Sequence, residues 1–315
     1  MAQQPVTAYG GQAVIEGVMF QGKHVNVTAV RRKNQEIDFY EVPRGATPNI
    51  VKWLKKIPFV RGVVGLIESS AKGSQHLNFS AEAYAEDETT PEDAAKSSKE
   101  KEKWSLTMVL GVAVVGVLSF VFGKLIFTSV PAFLESLLFE WAFDNKIAHN
   151  ILEGVIKIAL LLFYLWIISK TPMIKRLFQY HGAEHKVITA YEAELELTVE
   201  NVQKMSRLHY RCGSSFIIFT VIVGVVIYSF PIFTWETIWD RIWIRIALLP
   251  VVLGVSYEVL RLTNAVRDIP VLRFLGYPGL WLQLLTTKEP SDDQVAVSIA
   301  SFNRMRELER QYNPV

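Results

Sequence analysis

The chain has 315 residues, half of them hydrophobic, with eight tryptophans and a formal net charge of only +2. That hydrophobicity is high for a soluble globular protein and suits apolar spans separated by polar segments, while the near-neutral balance excludes a dedicated nucleic-acid surface. The lone cysteine, Cys212, excludes an internal disulfide framework, and the opening "MAQQPVTAYG" lacks the basic and apolar regions of a cleavable signal peptide.

Residues 1–47 read as a β-rich unit. "HVNVTAVRR" and "EIDFYEV" alternate polar and apolar residues on either side of a "KNQ" turn, and the glycine-punctuated "YGGQAVIEGVMFQG" reads as short strands joined by tight turns. Glu16, inside that stretch, reads as an ordinary turn residue. Residues 48–80 set Trp53, Ile57, Phe59 and Val60 among Lys52, Lys55, Lys56 and Arg61. This pattern suits an amphipathic helix, lying either on the inner leaflet of a membrane or against the β-unit. Residues 81–103 are highly charged with few large apolar groups, the composition of a disordered tether.

Within residues 104–264, four segments approach the roughly 20 residues needed to cross a bilayer: Ser105–Val130, Ile147–Ser169, Gly213–Trp235 and Ile242–Thr263. Lys175, Arg176, Lys186, Lys204, Arg207 and Arg211 crowd the connection between the second and third, whereas the opposite loops offer Lys146 and Arg241. The excess of positive charge sets that connection and both termini in the cytoplasm. The expected fold is therefore an α-helical integral membrane protein: four transmembrane helices, a small β-rich cytoplasmic unit and amphipathic interfacial helices, in a bacterial inner membrane. Residues 265–290, broken by Gly276, Pro278 and Gly279, read as a re-entrant or interfacial segment, and residues 291–315 as a capped cytoplasmic helix.

The chemistry concentrates in "FQYHGAEHKVITAYE", within a helix expected over 172–194 and opened by Pro172. At 100° per residue, His181, Glu184 and His185 share one face. Histidines at i and i+4 chelate one cation, and a glutamate between them activates a water, as in the His-x-x-Glu-His pattern of inverted zincins. A catalytic zinc takes three protein ligands, and the candidates for the third are His209, Cys212 and Glu258. His209 and Cys212 stand in "LHYRCGSSF" at the cytoplasmic mouth of the third expected span; Glu258 lies near the inner end of the fourth. Cys212 otherwise reads as a small buried hydrophobe, Glu258 with Arg261 and Glu153 with Lys157 as structural ion pairs, and the histidines as solvated residues. Glu192 reads as an outer partner of the histidines, and Asp144, Asn145 and His149 are given no role.

"GGQAVIEGVMFQG", "FQYHGAEHKVITAYE", "RCGSSF" and "PGLWLQLLTTKEPSDDQVAVSIASF" together resemble the YqhQ-like bacterial membrane proteins, the family called domain of unknown function 1385. The resemblance covers nearly the whole chain. It implies a predicted metal-dependent enzyme of the membrane, with His181, Glu184, His185, His209 and Cys212 at the signature positions. The expected function is a metal-dependent membrane enzyme, a hydrolase of undetermined substrate, using zinc or another divalent metal with Glu184 as general base. The alternatives are a non-enzymatic assembly factor, a transporter subunit or a lipid-binding scaffold, acting on the lipid bilayer, on a membrane-protein partner or as a homo-oligomer.

Overall fold

The computed structural model describes residues 9–45, 47–88, 123 and 126–312. The N-terminal alternation resolves into an antiparallel meander: β1 (Gly10–Val14), β2 (Gly17–Gln21), β3 (Val25–Arg31) and β4 (Ile37–Pro43), in that order across the sheet. Ile15 and Glu16 form the two-residue turn between β1 and β2, with Glu16 at φ 53° and Val14 opposite Gly17. Gly17 is needed there because a Cβ would run into the Ala29 carbonyl of β3.

The sheet is covered on both faces, which explains why β2 and β3 are buried almost throughout. On one face lies α2 (Val60–Glu88), which follows the short α1 (Asn49–Leu54) and packs Ala83 and Phe79 on Val14 and Val30. On the other lie α5 (Pro172–Glu192) and α11 (Asp292–Tyr312), whose Tyr180, Val187, Phe302 and Met305 close over Val18, Phe20, Val25 and Val27. Each large apolar side chain removed from water here contributes on the order of 1.5–3 kcal/mol. The segment after residue 48 thus forms α1 and α2; α2 meets the sheet from Gly73 onward, while Trp53, Phe59 and Val60 stay exposed. This second helix also runs past residue 81, where a disordered tether is expected, because Ala83 is buried and Arg32 pairs with Glu86 and Asp87.

A second, apolar layer comprises α3 (Ile126–Phe139), α4 (Lys146–Ile168), α7 (Ser215–Tyr228), α8 (Ile238–Ala247), α9 (Leu249–Ala265) and α10 (Tyr277–Thr286), the last preceded by a 3-10 turn, Leu272–Gly276. Leu161, Leu165, Ile218, Phe219 and Leu282 form its centre. Glu153 is held by Arg241 and Arg245, and Glu135 by Arg241, so Glu153 is committed to arginines of α8 rather than to the expected pair with Lys157 alone. His149, given no role from sequence, meets Glu135 at 2.6 Å.

The four-span architecture is corrected by these helices. Among the described residues one helix, α4, is long and apolar enough to cross a membrane; a second is reached only by counting α8 and α9 as one span bent by 54°. The third expected span forms only the 14-residue α7, about 21 Å long against an apolar core of about 30 Å. A turn through Cys212–Ser214 delays its start, and Pro231 disfavours helix at Phe230. The fourth breaks at Leu248 because Pro250 lacks an amide hydrogen and crowds the carbonyl four residues before it. The first, Ser105–Val130, lies outside the described residues until its last few, which enter α3. The segment expected to be re-entrant becomes the 3-10 turn and α10.

Two measurements probe this packing. A Cβ at Gly182 would collide with the Lys288 carbonyl, so Gly182→Ala is expected to lower thermal stability by about 1–3 kcal/mol, although helix propensity alone predicts a gain. His76 is fully buried and bonded to Thr28 at 2.6 Å. Burial pulls its imidazole from 6.5 down to about 4, so the unfolded chain takes the proton first. Stability should be full above pH 6.5 and fall as pH drops towards 4, and urea denaturation should show a flatter acid limb in His76→Gln.

Candidate metal site

α5 carries the histidine face and is crossed by the chain that leaves α10. Lys288 N–H donates to the Phe178 carbonyl at 2.8 Å, and the Lys288 carbonyl lies directly over Gly182. The crossing places the Thr286 carbonyl 2.8 Å from Nδ1 of His181. One turn further along α5, Nδ1 of His185 lies 2.6 Å from the Arg207 carbonyl. A carbonyl only accepts, so both Nδ1 atoms carry a hydrogen, and Nε2 is the nitrogen of each ring left to bind a metal once it is deprotonated.

Those nitrogens converge on Cys212. His181 Nε2 is 3.2 Å from Cys212 Sγ, and one ligand atom from each of His181, His185 and Cys212 lies within 4.8 Å of the others. Ser214 Oγ approaches the sulfur at 3.0 Å. The Glu184 carboxylate stands beside the cluster, its Oε2 3.7 Å from His185 Nε2 and 4.0 Å from His181 Nε2.

Arg207, His209 and Cys212 sit on an irregular connection, which Gln283 of α10 holds in place. Its Oε1 accepts from His209 N–H, while its Nε2 donates to the His209 carbonyl and to Ser215 Oγ, all at 2.8 Å. Arg207 reinforces the crossing by donating to the Thr287 carbonyl at 2.7 Å.

Electrostatics divides the histidines. Burial pulls His181 down, but the facing Cys212 and Glu184 outweigh it and carry the imidazole to about 9; His185 is raised against burial in the same way. Burial alone would raise the Cys212 thiol, yet His181 and His185 hold it well below its ordinary value. The mutual attraction favours the thiolate of Cys212, which is the form that binds metal. His209 goes the other way: burial and the neighbouring His185 push it down to about 4.

The sequence candidates thus separate. His181, His185, Cys212 and Glu184 come together and line a cavity of about 360 Å³. His209 lies in the wall, its Nδ1 accepting from Arg211 N–H at 3.4 Å and its Nε2 facing Glu192 at 3.6 Å. Glu192 pairs with Arg211 rather than with either of the clustered histidines. Glu258 is elsewhere, bound to Arg61 Nε at 2.7 Å and to the Phe59 amide at 3.2 Å, with Arg261 at 3.8 Å. It ties α9 to the start of α2 and is absent from the cavity wall.

Sequence reasoning misses several contributors. Glu16 is more than a turn residue, since its carboxylate pairs with Arg176 and meets Tyr180 at 3.3 Å, fastening the first hairpin to α5. Gln283, Thr286 and the Arg207 carbonyl carry no sequence signal for their roles. The other wall of the cavity is the edge strand, Gly10–Ala13, and a Cβ at Gly11 would meet the Glu184 side chain within 2.8 Å.

The fold and the site define an α/β sandwich joined to an apolar helical layer, with two histidines, a cysteine and a glutamate gathered where they meet. The chain belongs to the family described as "Protein of unknown function (DUF1385)", whose model matches residues 57–308. It is similar to a bacterial protein, "Uncharacterized protein YqhQ" of Bacillus subtilis (strain 168), at 56% identity over 302 residues, 96% of this chain and 93% of that one. No solved structure matches the chain.

Replacing Gln283 tests how the cysteine-bearing connection is held. Gln283→Leu leaves the buried His209 amide and carbonyl without partners. A loss of about 2–4 kcal/mol in thermal unfolding is expected.

Proposed function

We propose that the chain is a metal-dependent hydrolase acting at a membrane surface, with His181, His185 and Cys212 as metal ligands and Glu184 as general base. One observation carries the reading: ligand atoms of two histidines and a cysteine converge, each histidine fixed by a carbonyl, beside a carboxylate and an open cavity. Bonds of about 2.0 Å to nitrogen and 2.3 Å to sulfur set tetrahedral ligand atoms about 3.3–3.6 Å apart. The 3.2 Å separation of His181 Nε2 and Cys212 Sγ is close to that spacing. Two imidazoles and one thiolate favour zinc over magnesium or calcium, and three protein ligands beside a cavity leave the open position of a catalytic rather than a structural site.

When bound, the ion supplies positive charge that polarises a carbonyl and acidifies a neighbouring water. Glu184 accepts the proton of the attacking water and returns it to the leaving group. The carbonyls of Thr286 and Arg207 keep the imidazoles from rotating. His209, uncharged at neutral pH, adds no cation beside the thiolate, and Arg211 is neutralised by Glu192.

The membrane reading rests on exposed apolar surface. α4 leaves Ile151, Val155, Leu162, Phe163 and Trp166 uncovered by the described residues, and Val271, Phe274, Leu275 and Trp281 do the same around the 3-10 turn, beside Arg273. Such faces suit a lipid bilayer, here that of a bacterial cell, with the cluster on the side rich in lysine and arginine.

Metal content per chain, measured on full-length protein purified in detergent without chelator, tests the site. One zinc per wild-type chain is expected, lost in His181→Ala/His185→Ala and reduced in Cys212→Ser. Glu184→Gln should keep the metal while losing roughly 10²–10⁴-fold in hydrolysis. A wild type that binds no zinc, manganese or iron sinks the reading, and the helix is then a binding surface of a non-enzymatic protein.

A further inference from the structure

The cavity wall opposite the histidines is the outer edge of a sheet, and its hydrogen-bonding groups have a definite direction. In the two-residue turn Val14 faces Gly17 as the bonded pair, so Val14, Gln12 and Gly10 direct their amides and carbonyls towards β2. Ile15, Ala13 and Gly11 therefore direct theirs outward. Two bonds fit this phase: Ile15 N–H reaches Ser80 Oγ of α2 at 3.3 Å, and the Glu16 carbonyl accepts from Arg31 of β3 at 2.8 Å.

Ser80 closes the edge at Ile15. Beyond it, the amides and carbonyls of Gly11 and Ala13 make no hydrogen bond among the described residues, and both residues line the cavity. Their side-chain face is the one towards α5, where Gly11 leaves room for the Glu184 carboxylate against the strand. Gln12 and Val14 point to the opposite face, towards Gly73 and Ala83 of α2.

We infer that the substrate of this site is an extended peptide, which adds to the β1 edge through Gly11 and Ala13 and so lays one of its amide bonds beside Glu184. This rests on the hydrolase reading above. An exposed strand edge offers a donor and an acceptor at every second residue, about 6.8 Å apart, and an extended peptide presents the matching set at the same repeat. A lipid headgroup or a sugar has no such period. In the reaction a water oxygen bonds to the peptide carbonyl carbon and the carbon–nitrogen bond breaks. Glu184 carries one water proton to the departing nitrogen, and the second, left on the new carboxylic acid, passes to the amine, giving a carboxylate and an ammonium, with no oxidant or second substrate.

The test uses full-length zinc-loaded Glu184→Gln protein in detergent, mixed with a tryptic digest of β-casein; peptides that stay bound are identified by mass spectrometry. One of them is labelled and resynthesised with an N-methyl group on each amide in turn, and binding to unmodified-edge protein is read by fluorescence anisotropy. Strand pairing predicts a loss of roughly tenfold at alternate amides and little change at the intervening ones. Ala13→Pro removes an outward N–H without touching the β1–β2 ladder, so it should lose peptide binding with zinc content and circular dichroism unchanged. Zinc bound but no peptide retained, or methylation tolerated at every position, overturns the peptide inference and leaves the metal site standing. If no zinc binds, the hydrolase reading falls, and the same methylation scan on the metal-free protein still decides whether β1 pairs with a peptide. Should Ala13→Pro fail to fold, the scan decides alone.

Discussion

A backbone crossing, Lys288 over Gly182, is the contact on which the candidate site depends. The carbonyl sits where any side chain would be, and the Lys288 amide is bonded to Phe178 on the turn below. Helix interiors disfavour glycine by about 1 kcal/mol relative to alanine, and the close approach is what that cost obtains. It docks the end of the apolar layer onto α5 of the sandwich. The same strap delivers the Thr286 carbonyl to His181, so the contact that joins the two layers also orients a ligand nitrogen.

Buried polar groups do similar double duty elsewhere. Gln283 satisfies both backbone groups of His209 and Ser215 Oγ, and in doing so shapes the turn that presents Cys212. An unpaired buried amide or carbonyl costs about 1–3 kcal/mol, so an irregular connection inside the protein requires a partner of this kind. Glu16 and Glu258 act as fasteners, the first between the hairpin and α5, the second between α9 and the start of α2. In the apolar layer Glu135, Glu153, Arg241 and Arg245 neutralise one another, which allows four charges to be buried together.

The histidine helix is legible in the chain because it needs only local rules. A proline at the first turn and a 100° step per residue suffice to put His181, Glu184 and His185 on one face. The strands are legible for the same reason, since alternation over Val25–Arg31 and Ile37–Pro43 is a period-two signal. Hydropathy alone misleads at α7 and at the α8–α9 bend. It counts apolar residues and overlooks Pro231, Pro250 and the turn at Cys212, which divide or shorten the helices.

The third member of the cluster shows where local rules stop. Glu258 and Cys212 are both candidates from sequence, because the expected four-span topology would gather them at one face. Only packing assigns Glu258 to Arg61 and Cys212 to His181, through contacts 197 and 31 residues apart in the chain. The sequence by itself determined the strands, the histidine helix and the family to which the chain belongs, since each follows from short-range periodicity or a continuous motif. The tertiary structure alone decided which donors meet, which ring nitrogens they present and that a strand edge faces them. These depend on hydrogen bonds between segments brought together by the Gly182 crossing and the Gln283 clamp, and no local pattern encodes such bonds.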